Sequence, residues 1–147
     1  MSQMPEDIHA IQTQIVKDFE AFSDWEDRYQ FIMKLGKDLP AMDEALKIET
    51  YRVTGCQSQV WMHASLQPDG LVHFQVASDA LIVKGLIALL MKLYNHQSPE
   101  TILQTEPTFM EAIGMAEHLS MTRRNGLASM LKQMKLYATV LKMTQSI

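Results

Sequence analysis

The chain has 147 residues, 47% of them hydrophobic, and a formal net charge of −4. That length suits a single domain over residues 1–147 with enough apolar side chains for one core. The acidic balance argues against a general nucleic-acid binder, and no apolar run is long enough to span a bilayer. The opening stretch, MSQMPEDIHAIQTQIVKDFE, has neither the basic start and apolar core of a secretory signal nor the arginines of a transit peptide. Cys56, the sole cysteine, cannot close an intrachain disulfide, which suits a reducing compartment. A cytoplasmic protein without membrane attachment is the expectation.

Ile8, Ile11, Ile15, Phe19 and Phe22 recur every three or four residues and predict a first helix. Ser23-Asp24-Trp25-Glu26 reads as a capping box opening a second. Trp25, Tyr29, Ile32, Met33 and Leu35 form its apolar face, and Gly36 and Pro40 mark its end. Between residues 46 and 77 the period changes. Tyr51 and Val53 alternate with polar neighbours. Val60, Met62 and Ala64 fall on one side of an extended chain, and Trp61, His63 and Ser65 on the other. After the turn Gln67-Pro68-Asp69-Gly70, Val72, Phe74 and Val76 alternate with Leu71, His73 and Gln75. The pattern predicts a three-stranded antiparallel meander.

Helical periodicity then returns. Ser78 caps a long apolar helix from Asp79 to about Asn95, and Asp79 complements its dipole. Ser98-Pro99 opens a short helix. Thr108-Phe109-Met110-Glu111 reads as another capping box, and Gly114 ends that helix. The last helix starts near Thr122 and buries Leu127, Met130, Leu131, Met134, Tyr137, Val140 and Leu141. Helices, a compact meander and further helices make an α+β domain with helices packed on one small sheet.

A free cysteine is, by residue type, most often a small buried hydrophobe. The setting of Cys56 differs. Gly55 permits a tight turn, and Gln57, Ser58 and Gln59 are polar, as at a loop tip. A thiol on such a turn acts as a nucleophile where its thiolate is stabilised. A cysteine hydrolase would need a histidine base beside the sulfur. Of His9, His63, His73, His96 and His118, only His63 and His73 are placed to face each other across strands, and none sits in a hydrolase signature. There is no CxxC, no HExxH and no carboxylate cluster at ligand spacing, and Lys84-Gly85-Leu86 lacks the rest of a phosphate loop. No metal or cofactor is therefore expected. The methionines, such as Met33, Met91, Met130 and Met134, fall mostly on apolar helical faces and read as core filler. Arg123-Arg124-Asn125-Gly126 opens the last helix, where positive charge is locally unfavourable. Either that helix start is simply solvated, or a carboxylate partner or an anionic thiolate lies near it.

The run Gly55-Cys56-Gln57-Ser58-Gln59-Val60-Trp61 resembles the signature around the sulfur-accepting cysteine of the SufE family, which includes the CsdE branch. Trp25-Glu26-Asp27-Arg28-Tyr29 with Leu35-Gly36 and Leu39-Pro40 is similar to the family's N-terminal region. Ser78-Asp79-Ala80 with Ile82-Val83-Lys84-Gly85-Leu86 is similar to its central helix, and Leu119, Arg123 and Gly126-Leu127 to the start of its last helix. These blocks cover about residues 24–130 in the family's order. Ala77 departs from a more usual glycine, Met121-Thr122 from Pro-Ser, and Arg124-Asn125 from a more polar pair. The Gln57-Ser58-Gln59 version is closer to SufE proper than to CsdE.

The resemblance implies the α+β fold shared with NifU/IscU-type scaffolds. It implies a sulfur shuttle in which Cys56, the catalytic residue, takes persulfide sulfur from a pyridoxal-phosphate cysteine desulfurase (SufS- or CsdA-like) and stimulates it. An iron–sulfur scaffold complex (SufBCD-like) is the implied acceptor. Such a protein is a sulfurtransferase-like accessory rather than a stand-alone enzyme, as monomer or homodimer, with no cofactor of its own. Gly55, Gln57, Ser58, Gln59, Trp61, Asp79 and Arg123 are the expected loop-supporting or partner-binding residues. Thiol exchange suits this reading: it needs an accessible thiolate, a flexible approach and a docking surface. The chemistry also calls for a loop that moves and a thiol partly sheltered at rest, with Trp61 and Leu71 as candidate shelter. Two other readings remain: a redox sensor that oxidises Cys56, and a non-catalytic interaction module.

Overall fold

The computed structural model describes residues 5–145. Two helices come first, α1 (Ile8–Glu20) and α2 (Trp25–Lys37). Two 3₁₀ turns, Glu44–Leu46 and Glu49–Tyr51, lead into a hairpin of β1 (Val60–Leu66) and β2 (Val72–Ser78). Then follow α3 (Leu81–Tyr94), α4 (Pro99–Gln104), α5 (Phe109–Ala112), a 3₁₀ turn over Met115–His118, and α6 (Met121–Gln145). The class is α+β, as the sequence predicts.

The sheet has two strands, not three. Tyr51 belongs to a 3₁₀ turn, closed by the Arg52 N–H on the Glu49 carbonyl at 3.1 Å, so the chain there is not extended. What remains of a third strand is a bridge between Arg52 and Trp61 and a 2.8 Å bond from the Val53 N–H to the Val60 carbonyl. The other edge is also covered: Val72 is bridged to Gln97, and the Asn95 side-chain oxygen accepts from the Phe74 N–H at 2.8 Å. Val60, Met62, Val72, Phe74 and Val76 turn inward as expected. His63 lies opposite Gln75 and His73 opposite Ser65, so the two histidines do not face each other as a pair.

Helix ends depart from the sequence reading where a tertiary partner competes. Asp24, not Ser23, caps α2, accepting from the Asp27 N–H. Ser78 ends β2, so α3 starts at Leu81 with Ala80 as N-cap and no side-chain cap. The Ser78 hydroxyl instead accepts from the Ala80 N–H at 3.2 Å, and Asp79 lies outside the helix. Thr108 does not cap α5. Its hydroxyl donates to the buried Gln12 side-chain oxygen, which also accepts from the Phe109 N–H at 2.8 Å. Gln12 thereby satisfies the first free N–H of the helix start from across the fold. Ser98 does cap α4, and Gly114, with φ 69°, follows the end of α5. On α6, Leu127, Met130, Met134 and Ala138 are buried. Val140 is 54% exposed: two residues beyond Ala138, it lies roughly 200° around the helix.

Gly36 lies in the last turn of α2, which ends at Lys37 as the sequence predicts, and it stands at the crossing with α3. A Cβ on Gly85 would stand 2.2 Å from the Ile32 carbonyl oxygen, and one on Gly36 2.7 Å from the Gly85 nitrogen. The two backbones therefore touch, which fixes the start of α3 relative to α2. Phe19, Ile32, Phe74, Leu86, Tyr94 and Phe109 fill the core between these layers. Among the described residues no helix is long and apolar enough to cross a membrane.

Candidate functional site

The chain leaves the sheet after Val53 and rejoins it at Val60, and Cys56 stands midway along the intervening loop. The loop is pinned at both ends. At one end is the Val53–Val60 bond; at the other, the Asp79 carboxylate accepts from the Gln59 N–H at 3.1 Å while the Asp79 N–H donates to the Gln59 carbonyl. Gly55 has φ +89°, a region that side chains with a Cβ rarely adopt. A Cβ there would also meet the Ser129 hydroxyl at 2.3 Å, so the loop backbone lies flat on α6. The half-buried Cys56 Sγ donates to the Gly126 carbonyl of α6 at 3.5 Å.

The sulfur faces a cleft of ≈ 440 Å³ between the loop and the first turns of α3 and α6. Gln57 and Ser58 line it from the loop side. Ile82, Val83, Leu86, Leu127 and Met130 supply its apolar wall. Arg123 lines it too and is itself exposed, so its charge sits at the rim. The two helix starts flanking the loop thus meet at the thiol. Asp79 is engaged with Gln59 and is not part of the lining. Neither Trp61 nor Leu71 lines the cleft: Trp61 is held in the edge bridge to Arg52, and Leu71 lies at the far end of the hairpin. The shelter expected of them comes from α3 and α6.

Burial pushes the Cys56 thiol above its usual value. The resting sulfur is therefore a protonated thiol. Among the described residues no histidine lines the cleft. His63 packs edge-on against Tyr51, His73 lies beside His96, and His118 stacks on Trp25 with ring centres 4.1 Å apart. A cysteine-hydrolase base is thus missing from beside the sulfur. A second cavity of ≈ 470 Å³, between α1, β2 and α3, holds His73 and His96 but is lined by a separate set of residues.

Gly126 and Ser129 are functional candidates that sequence reasoning missed. Gly126 was visible only as part of a helix start, and Ser129 carried no signal, because their meeting with the loop depends on how α6 crosses it.

Comparison with known proteins places this geometry in context. Residues 13–138 match the family model SufE, described as an Fe-S metabolism associated domain. A SufE-like protein of Rhizobium meliloti is 40% identical over 83% of this chain and 90% of its own. A SufE-like protein of Synechocystis is 39% identical over 90% of this chain and 82% of its own. The solution structure of a hypothetical protein from Thermus thermophilus superimposes with a TM-score of 0.75 at 24% identity, covering 90% of this chain and 96% of that one. That structure shares the fold.

Proposed function

The chain belongs to the SufE family, whose domain is associated with Fe-S metabolism, and on that premise we propose that it is a sulfur acceptor acting through Cys56. The donor is the cysteine persulfide of a cysteine desulfurase. The Cys56 thiolate attacks the outer sulfur of that persulfide. A new S–S bond forms to Cys56, the donor's S–S bond breaks, and the donor cysteine leaves as a thiolate that takes up a proton. The step is an exchange, with no net oxidation and no cofactor on this chain. By draining the persulfide, the protein speeds the desulfurase, and it then delivers the sulfur to an iron–sulfur scaffold.

The observation that supports this reading most is the half-buried thiol on a loop pinned at both ends, facing an apolar cleft with a cationic rim. An apolar wall shelters a persulfide from water and reductants. With no second cysteine in the chain, no thiol of its own can resolve the persulfide into a disulfide. Asp79 holds the loop, Gly55 lets it lie flat, and Arg123 attracts an anionic sulfur or meets an acidic group of the donor. Gln57 and Ser58 face the approaching partner, and residues 1–147 act as one SufE domain.

The test is mass spectrometry after incubation with desulfurase and free cysteine. Wild type gains one sulfur atom, removable by dithiothreitol; Cys56→Ser gains none and does not stimulate turnover. Undiminished stimulation by Cys56→Ser refutes the reading. A mass gain in wild type that resists dithiothreitol indicates sulfinic acid, and so the chemistry of a redox sensor.

A further inference from the structure

We propose that Gly126 and Ser129 of α6 form a seat that holds the Cys56 loop in while the sulfur is protonated and lets it go when the sulfur is ionised, with Ser129 as a positioning residue. This deepens the sulfur-acceptor reading and rests on it for its purpose, though not for its test.

The two seat residues are three apart on α6 and so share a face of the helix. Each touches a different atom of the loop. The Gly126 carbonyl accepts from the Cys56 Sγ, and the Ser129 hydroxyl lies directly under Gly55. A carbonyl inside a helix is held along the axis by its own i+4 partner, so it cannot turn away from the sulfur. It can only accept. A thiol gives it a proton; a thiolate has none to give and meets the oxygen's partial negative charge at close range.

Among the residues lining the cleft, only Arg123 carries a charge to oppose this. Arg123 lies one turn toward the N-terminus of α6 from Gly126, exposed at the rim. Asp79, a carboxylate on the loop's flank, is bonded to the Gln59 N–H. Loss of the proton therefore removes the sulfur's bond at Gly126 and draws it along α6 toward the rim. A Cβ on Gly126 would lie 3.7 Å from Sγ, in ordinary contact, so the sulfur sits over the bare helix backbone with room for about a methyl group between them.

The consequence is a coupling of chemistry to position. The thiolate is the only form that attacks a donor persulfide, and it is the form the seat does not hold. The thiol, which cannot attack, is the form kept in the cleft. After transfer, the terminal sulfur of the persulfide ionises more readily than a thiol, so the same rule directs the loaded sulfur toward Arg123.

The test uses the free protein and iodoacetamide, with the Cys56 alkylation rate followed across a pH series. Ser129→Leu lifts Gly55 off α6. It should raise the rate near neutral pH by about 3- to 10-fold and move the midpoint of the profile down toward the ordinary thiol range. Ser129→Ala removes only the hydroxyl, and should shift rate and midpoint the same way by less. Circular dichroism establishes that each variant is folded. Wild-type rate and midpoint in the folded variants overturn the proposal; if Ser129→Leu does not fold, Ser129→Ala decides it alone. Because no desulfurase is present, a negative result leaves the sulfur-acceptor reading standing. Conversely, sulfur acceptance by Cys56→Ser would remove that reading without touching the alkylation profile.

Discussion

Gly85→Ala sets two opposed effects against each other, and the structure decides the sign. In a helix interior alanine is favoured over glycine by about 1 kcal/mol, so a site with open space would gain stability. At Gly85 the added Cβ would stand 2.2 Å from the Ile32 carbonyl oxygen, 2.5 Å from its Cγ2 and 2.7 Å from its carbonyl carbon. Ordinary C···O contacts are about 3.3 Å or longer, so the helices must part by roughly 1 Å at this point. Two of the three obstructing atoms are backbone, which no rotamer change relieves. Overpacking of this kind costs about 1–3 kcal/mol, and parting the helices also loosens Ile32, fully buried at the crossing. The net expectation is a loss of about 1–2 kcal/mol, or a fall in Tm of roughly 2–8 °C for a chain of this size. Calorimetry on the folded protein measures it. Gly36→Ala should also destabilise, and the double variant should cost less than the sum, because the helices are already apart. A Tm for Gly85→Ala equal to or above wild type would refute the close crossing.

Arg123→Ala separates two roles at the rim: slower iodoacetamide alkylation of Cys56 near neutral pH marks support of the anion, whereas unchanged alkylation with weaker desulfurase binding at low salt marks docking. Neither change would make Arg123 an ordinary solvated side chain. Burial raises the folded-state Cys56 pKa, so the unfolded chain ionises first. The stabilisation this gives is complete below the ordinary thiol value of 9.0 and is lost as pH rises through and beyond it. The urea midpoint of wild type should therefore fall more than that of Cys56→Ser between about pH 8 and pH 10; the comparison cancels the buried Tyr94 and the half-buried Tyr137, which shift in the same direction. Parallel curves would mean the thiol is as solvated folded as unfolded.

The helices and the hairpin were legible because their signals are local. Ile8 to Phe19, Trp25 to Leu35 and Leu127 to Met134 carry helical periods, and Val60 to Val76 alternates with period two. The failures lie where a distant residue wins. Tyr51 and Val53 alternate like a strand, but a 3₁₀ turn claims Tyr51 and leaves only an edge bridge. Thr108 has the look of a cap, but Gln12, far away in sequence, takes its hydroxyl and also accepts from the N–H of Phe109, the first residue of the helix. Val140 fits an apolar stripe drawn from composition, yet the buried row runs through Ala138 instead. At the site, the cysteine loop was readable from its glycine and polar flank. Its seat was not: the Cys56–Gly126 contact joins segments of different period, and a serine on a helix surface has no pattern of its own.

The pinned ends of the cysteine loop also set a tether length. Val53 and Val60 are joined by a 2.8 Å bond, and Gln59 is tied to Asp79, so Cys56 is free only over about three residues on either side. At ~3.3–3.6 Å per extended residue, its backbone can travel no more than about 10 Å from the edge of the sheet. A longer reach would require breaking into the hairpin. Any donor whose sulfur lies deeper than that below its surface is out of range, whatever its affinity for this face, so partner choice becomes in part a matter of depth.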